Sequence, residues 1–122
     1  MLRIRKKQEE ALRASRFAEF EDAMIVHLKQ FFPDACLALG NEALKEVIVQ
    51  GIDRASNYGI ISRRDVMLYI DIMLIIGRDF DSDPNMPWAR LILVDPTLPE
   101  PARRMRRLYQ TALAQVKMKT ET

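Results

Sequence analysis

Apolar positions early in the chain fall on a helical period. Leu12, Phe17, Phe20, Met24, Leu28 and Phe31 recur near every third or fourth residue, in a stretch without glycine or proline. The pattern predicts a helix from about Arg5 to Phe31, ended by "FFP" because Pro33 biases Phe32 away from helical dihedrals. A short turn or helix, "DACLALG", follows to Gly40. Asn41 is then a good N-cap, with Glu42 favourable in the first turn. From there Leu44, Val47, Ile48, Gly51, Ile52, Ala55 and Tyr58 form one continuous stripe that Gly59 stops. Gly51, inside the stripe, predicts close approach of another helix.

Ser62 and Asp65 read as a capping box with Asp in the place of Glu. Every residue from Val66 to Ile76 except Asp71 is apolar, the mark of a buried central helix that Gly77 ends. Pro87 and Trp88 open a short helix, "PWARLIL", which "DP" closes. After the turn "TLPEP", a last helix runs from about Pro101 to Lys117. Met105, Leu108, Tyr109, Ala112 and Val116 share one side of it, and Arg103, Arg104, Arg106 and Arg107 project from the other. The expected fold is all-α: a single domain over residues 1–122, a helical bundle of four main helices plus short connecting ones, frayed at 1–4 and 118–122.

Composition narrows the class. With 122 residues, 48% apolar and 30% charged, the chain is long enough for one core and fits neither a disordered nor a membrane-embedded protein. No apolar run approaches the roughly 18 residues that span a bilayer. The start, "MLRIRKKQEE", lacks the apolar centre of a signal peptide. Cys36, the one cysteine, agrees with a reducing compartment. The expected location is cytoplasmic. Net charge is only +2 but uneven: arginines and lysines crowd the first 16 residues and positions 103–107, whereas Phe17 to Asp53 is acidic. Such ends suit an acidic partner or pair with the chain's own acidic stretch.

Candidate chemistry starts with "RDFDSDPNMPW", where Asp79, Asp81, Asp83 and Asn85 alternate as a calcium loop begins. An EF-hand needs glycine at its sixth position and a bidentate glutamate at its twelfth, and here these are Pro84 and Arg90. The expected role is therefore structural: aspartates binding nearby amides, Pro84 and Pro87 shaping the turn, and Trp88 anchoring it on the core. His27 and Cys36 could form a nucleophile pair only across the "FFP" break, with no motif in support. No spacing of metal ligands is present, so neither metal nor cofactor is expected. Asp71, flanked by Met67, Leu68, Leu74 and Ile75, must be paired or neutral if buried; Arg54, Arg63, Arg64 and His27 are the candidate partners. An acid so placed is either a structural ion pair or, in the enzymatic alternative, a perturbed group in a pocket. The arginine face of the last helix could meet phosphates, but no aromatic residues interleave with it and no recognition helix stands out.

Three stretches carry a resemblance: "FEDAMIVHLKQFFP", "YGIISRRDVMLYIDIM" and "GRDFDSDPNMPWARLIL". Together they resemble small helical accessory proteins of Gram-negative bacteria, encoded beside type VI secretion spike and toxin genes. The likeness runs from Ile4 to Leu113, and its motifs are structural. It implies a non-enzymatic chaperone or adaptor for a secreted toxin or spike component, with an immunity protein as the alternative. The docking surfaces expected from the sequence are the first helix and Arg103, Arg104, Arg106 and Arg107. A nucleic-acid-binding protein and an enzyme using Asp71 are the readings of other classes.

Overall fold

A computed structural model describes the backbone of residues 2–121 and the side chains of residues 15–118. The described residues form six helices and no strand, so the fold is all-α. They are α1 (Leu2–Phe31), α2 (Pro33–Leu39), α3 (Asn41–Asn57), α4 (Arg63–Ile76), α5 (Pro87–Leu93) and α6 (Pro101–Glu121). Four are long and two are single short connectors, as the hydrophobic pattern predicts. Helical backbone continues through residues 2–4 and 118–121, where fraying was the expectation, while Met1 and Thr122 lie outside the described residues. The chain divides into two compact units, Met1–Lys45 and Glu46–Thr122, with the division inside α3.

In the first unit α2 folds back against α1. The break between them is Phe32, held at φ −133° and ψ 56° ahead of Pro33, which occupies the first helical position of α2. The chain stays connected across the break through Phe32 N–H to Leu28 O and Cys36 N–H to Phe32 O. Of the predicted α1 stripe, Met24 and Leu28 are fully buried. Phe17 and Phe31 depart from the expectation, being 39% and 61% exposed. Phe31 instead turns its ring onto His27 one turn earlier, with centroids 4.9 Å apart. Leu12 lies outside the described side chains.

The second unit is organised around α4. Val66, Tyr69, Ile70, Asp71, Ile72 and Met73 are buried, and no residue from Val66 to Ile76 is fully exposed, as a helix apolar on nearly all sides requires. Ser62 caps the helix by accepting from Asp65 N–H at 3.2 Å, the Ser half of the predicted box. Against α4 lies α3, so closely that a Cβ on Gly51 would stand 2.5 Å from Ile70 Cγ1. Gly59 takes φ +75° to end the turn after α3, which a side chain would resist. On its other flank α4 packs along α6 through Met105, Leu108 and Ala112, all fully buried, and α5 closes against α6 with Ala89 and Leu93.

Candidate functional site

The aspartate loop is tied to α3. Arg54, four residues before Tyr58 and on the same face, donates to Asp79 Oδ1 at 2.8 Å and to the carbonyl of Arg78 at 2.7 Å. Asp81 Oδ1 lies 4.0 Å from the same guanidinium, and Asp81 Oδ2 accepts from the Tyr58 hydroxyl at 2.9 Å. Arg78 in turn donates to Gln50 Oε1 at 2.8 Å and approaches Glu46 at 3.8 Å. Asp83 accepts from Asn85 N–H at 2.8 Å, an Asx turn. The three carboxylates are thus spent on an arginine, a tyrosine and a backbone amide, and do not converge on one point. Among the described residues no three acidic, histidine or cysteine side chains are placed to hold a metal ion. Pro84 stands in the turn, Pro87 opens α5, and Trp88 is half-buried, a partial anchor rather than a core residue.

Beneath the loop the rings of Tyr69 and Phe80 meet at 4.9 Å. The Tyr69 hydroxyl is buried without a hydrogen-bond partner among the described residues. Burial, and secondarily the Asp81 carboxylate, push its phenol far above the ordinary tyrosine value. Tyr58 is raised by burial too, and further by the carboxylate that accepts its proton.

The four arginines of α6 do not share one fate. Arg103, Arg106 and Arg107 are exposed as predicted, and Arg103 meets Glu100 at 3.4 Å across open solvent. Arg104 is half-buried, a correction to the expected four-arginine face. Its Nη1 donates to the carbonyl of Tyr58 at 3.0 Å and to that of Leu93 at 2.7 Å, fastening α6 to the ends of α3 and α5. The reason is helical geometry: Arg104 follows Pro101 by three residues and precedes the buried Leu108 by four, so it borders the core stripe. Those two carbonyls end helices and have no intrahelical donor.

Asp71 is 9% exposed and, like His27, is engaged by a partner. Of the arginines considered for Asp71, Arg54 is committed to the loop instead. His27, in the first unit, is half-buried against Phe31. Cys36 is buried and burial raises its thiol, opposite to what a nucleophile needs.

A groove between α4 and α6 escaped the sequence analysis. It encloses about 420 Å³ and is lined by Arg64, Asp65 and Leu68 from α4 and by Ala102, Arg106, Tyr109, Gln110 and Leu113 from α6. The α6 residues follow one helical face beside the core stripe, and that periodicity was the available signal. Tyr109, on the apolar side of α6, is half-buried and also lines the groove. A second hollow, in the first unit, lies among Lys29, Pro33, Cys36, Leu37, Gly40 and Asn41.

Among the described residues no helix is long and apolar enough to cross a membrane. No protein-family model, curated protein or solved structure matches the chain.

Proposed function

We propose that the protein is a non-enzymatic, cytoplasmic binding protein, a chaperone or adaptor for a toxin or spike component of a type VI secretion system. The exposed arginine face of α6 carries the reading. Arg103, Arg106 and Arg107 remain in solvent while their neighbour Arg104 is consumed structurally. Like charges three and four residues apart on one helix repel by a few tenths of a kcal/mol per pair. An acidic protein partner relieves that repulsion and is steered toward it during encounter. The resemblance of the loop and central-helix sequences to secretion accessory proteins supplies the partner class. Of the candidate pair His27 and Cys36, burial raises the Cys36 thiol, opposite to what a nucleophile needs.

The test is association with type VI toxin and spike proteins of the source organism, followed by stopped-flow fluorescence at two salt concentrations. Arg103→Glu with Arg107→Glu should slow capture, most at low salt, while the helical spectrum is unchanged. Unaltered kinetics would remove this face as the docking surface. A toxin still active after release identifies a chaperone or adaptor, and one silenced in the complex identifies an immunity protein. Equal affinity for unrelated duplex DNA, falling steeply with salt, overturns the protein-binding reading.

A further inference from the structure

We propose that the groove between α4 and α6 seats an acidic amphipathic helix of the protein partner, its apolar side chains against Leu68, Tyr109 and Leu113 and its carboxylates on Arg64 and Arg106. The inference rests on the protein-binding reading and assigns the place and chemistry of the contact.

Size and shape come first. The volume of about 420 Å³ lies within the range of sites that hold a ligand group, roughly 300–1,000 Å³. From Ala102 to Leu113 the α6 wall spans about 16 Å at the helical rise, close to three turns of a helix laid along it. A partner helix presents apolar anchors at i, i+3 or i+4, and i+7 over that length. Leu113, 44% exposed, and the half-buried Leu68 and Tyr109 offer apolar surface that an anchor would cover.

Charge selects among occupants. Arg64 and Arg106 line the groove from opposite walls, both exposed, with neither in an ion pair among the described residues. Arg64 and Asp65 belong to the first turn of α4, and Ala102 to the first turn of α6, so both helices bring their amino ends to this groove. The partial positive charge there adds to that of the arginines. Within the groove Asp65 is the opposing element. The residue is only 8% exposed, but its carboxylate oxygens are not among the buried polar atoms left without a partner, and its backbone N–H caps on Ser62. A free phosphate or a nucleic-acid backbone brings negative charge but no apolar side chain to cover Leu68, Tyr109 and Leu113. An acidic amphipathic helix brings both, apolar anchors on one face and carboxylates beside them.

The probe is a set of synthetic peptides of ~15 residues, the length at which isolated helices become marginally stable, titrated into the ¹⁵N-labelled full chain. One has leucine anchors flanked by glutamates, a second has alanine anchors with the same glutamates, and a third has leucine anchors flanked by lysines. The leucine–glutamate peptide should shift the amides of Leu68, Tyr109 and Leu113 saturably, at least about tenfold more tightly than either of the others. Leu113→Gln should weaken it and Arg106→Glu should transfer the preference to the lysine peptide; both positions are exposed, and the unbound spectrum reports their folding. Equal binding of the alanine–glutamate peptide overturns the groove but leaves charge-only docking on α6 standing. Equal binding of the lysine peptide to the unaltered chain overturns the charge assignment, and no saturable shift at these amides overturns the proposal entire. If the groove binds the leucine–glutamate peptide while type VI toxin and spike proteins of the source organism do not associate, the secretion partner falls and the groove stands.

Discussion

The Tyr69 hydroxyl is buried without a partner among the described residues while its ring is fully covered against Phe80, so one side chain both stabilises the core and costs it. An unsatisfied buried hydroxyl carries a desolvation penalty of about 1–3 kcal/mol. Tyr69→Phe keeps the ring and deletes the oxygen, so it should raise stability by about 1 kcal/mol in denaturant unfolding, and a loss of that size would show that the hydroxyl has a partner. The same residue sets an alkaline limit. Tyr58 and Tyr69 both have folded pKa values raised above the ordinary value near 10. Their contribution is therefore complete below about pH 10 and lost as pH rises through the folded values, because the unfolded chain releases those protons first. Tyr69→Phe should flatten the fall in stability above about pH 10, measured as the pH dependence of the unfolding midpoint. At this scale the sequence was only half legible. The loop's aspartates were read as turn-formers, which Asp83 is, but the pairing of Asp79 and Asp81 with Arg54 was not foreseen. Partners 25 and 27 residues apart meet only once α4 has reversed the chain between them.

Helix ends and faces were the most legible elements, since they are fixed by local chemistry. Ser62 caps α4, Pro33 and Pro87 start α2 and α5, and Gly51 marks the crossing of α3 on α4. The crossing can be tested through Gly51→Ala. Alanine gains about 1 kcal/mol of helix propensity over glycine. Its Cβ would stand 2.5 Å from Ile70 Cγ1 and 3.1 Å from Met73 Sδ, and neither the stem of a buried isoleucine nor the backbone behind it yields cheaply. Overpacking of about 1–3 kcal/mol should win, giving a net loss on the order of 1 kcal/mol. Combined with Ile70→Ala, the two losses should sum to less than their separate values; strict additivity would mean that the helices are not in contact there. Arg104 makes the second test at this scale. Arg104→Met strands the carbonyls of Tyr58 and Leu93 and should cost about 2–3 kcal/mol, whereas Arg103→Met, on the exposed side, should stay within about 0.5 kcal/mol. Equal costs would place both guanidinia in solvent. Nothing in the spacing of four nearly consecutive arginines separates the one that turns inward, because the choice depends on where α3 and α5 end.

Over the whole molecule the net charge of +2 conceals a distribution that works against helix stability. No acidic residue occupies the first turn of α6, where the helix dipole favours one, and the exposed Arg103, Arg106 and Arg107 repel at three- and four-residue spacing. A surface retained only for folding would lose little by reversing one of these charges. Arg107→Glu removes the repulsion from Arg103 and replaces it with an i,i+4 attraction, so thermal unfolding at low salt should show a gain of a few tenths of a kcal/mol. The Asp95 carboxyl limits the gain. It is held below the ordinary carboxylate range chiefly by hydrogen bonds from Thr97, with a smaller contribution from Arg107, and would face a like charge after the substitution. Salt should erase most of the difference, since these charges are solvent-exposed. The same substitution should slow capture of an acidic partner, again most at low salt. Higher stability together with slower association is the signature of a charge kept for binding. Lower stability with unaltered association would instead assign Arg107 to the fold and leave the arginine face without a role in docking.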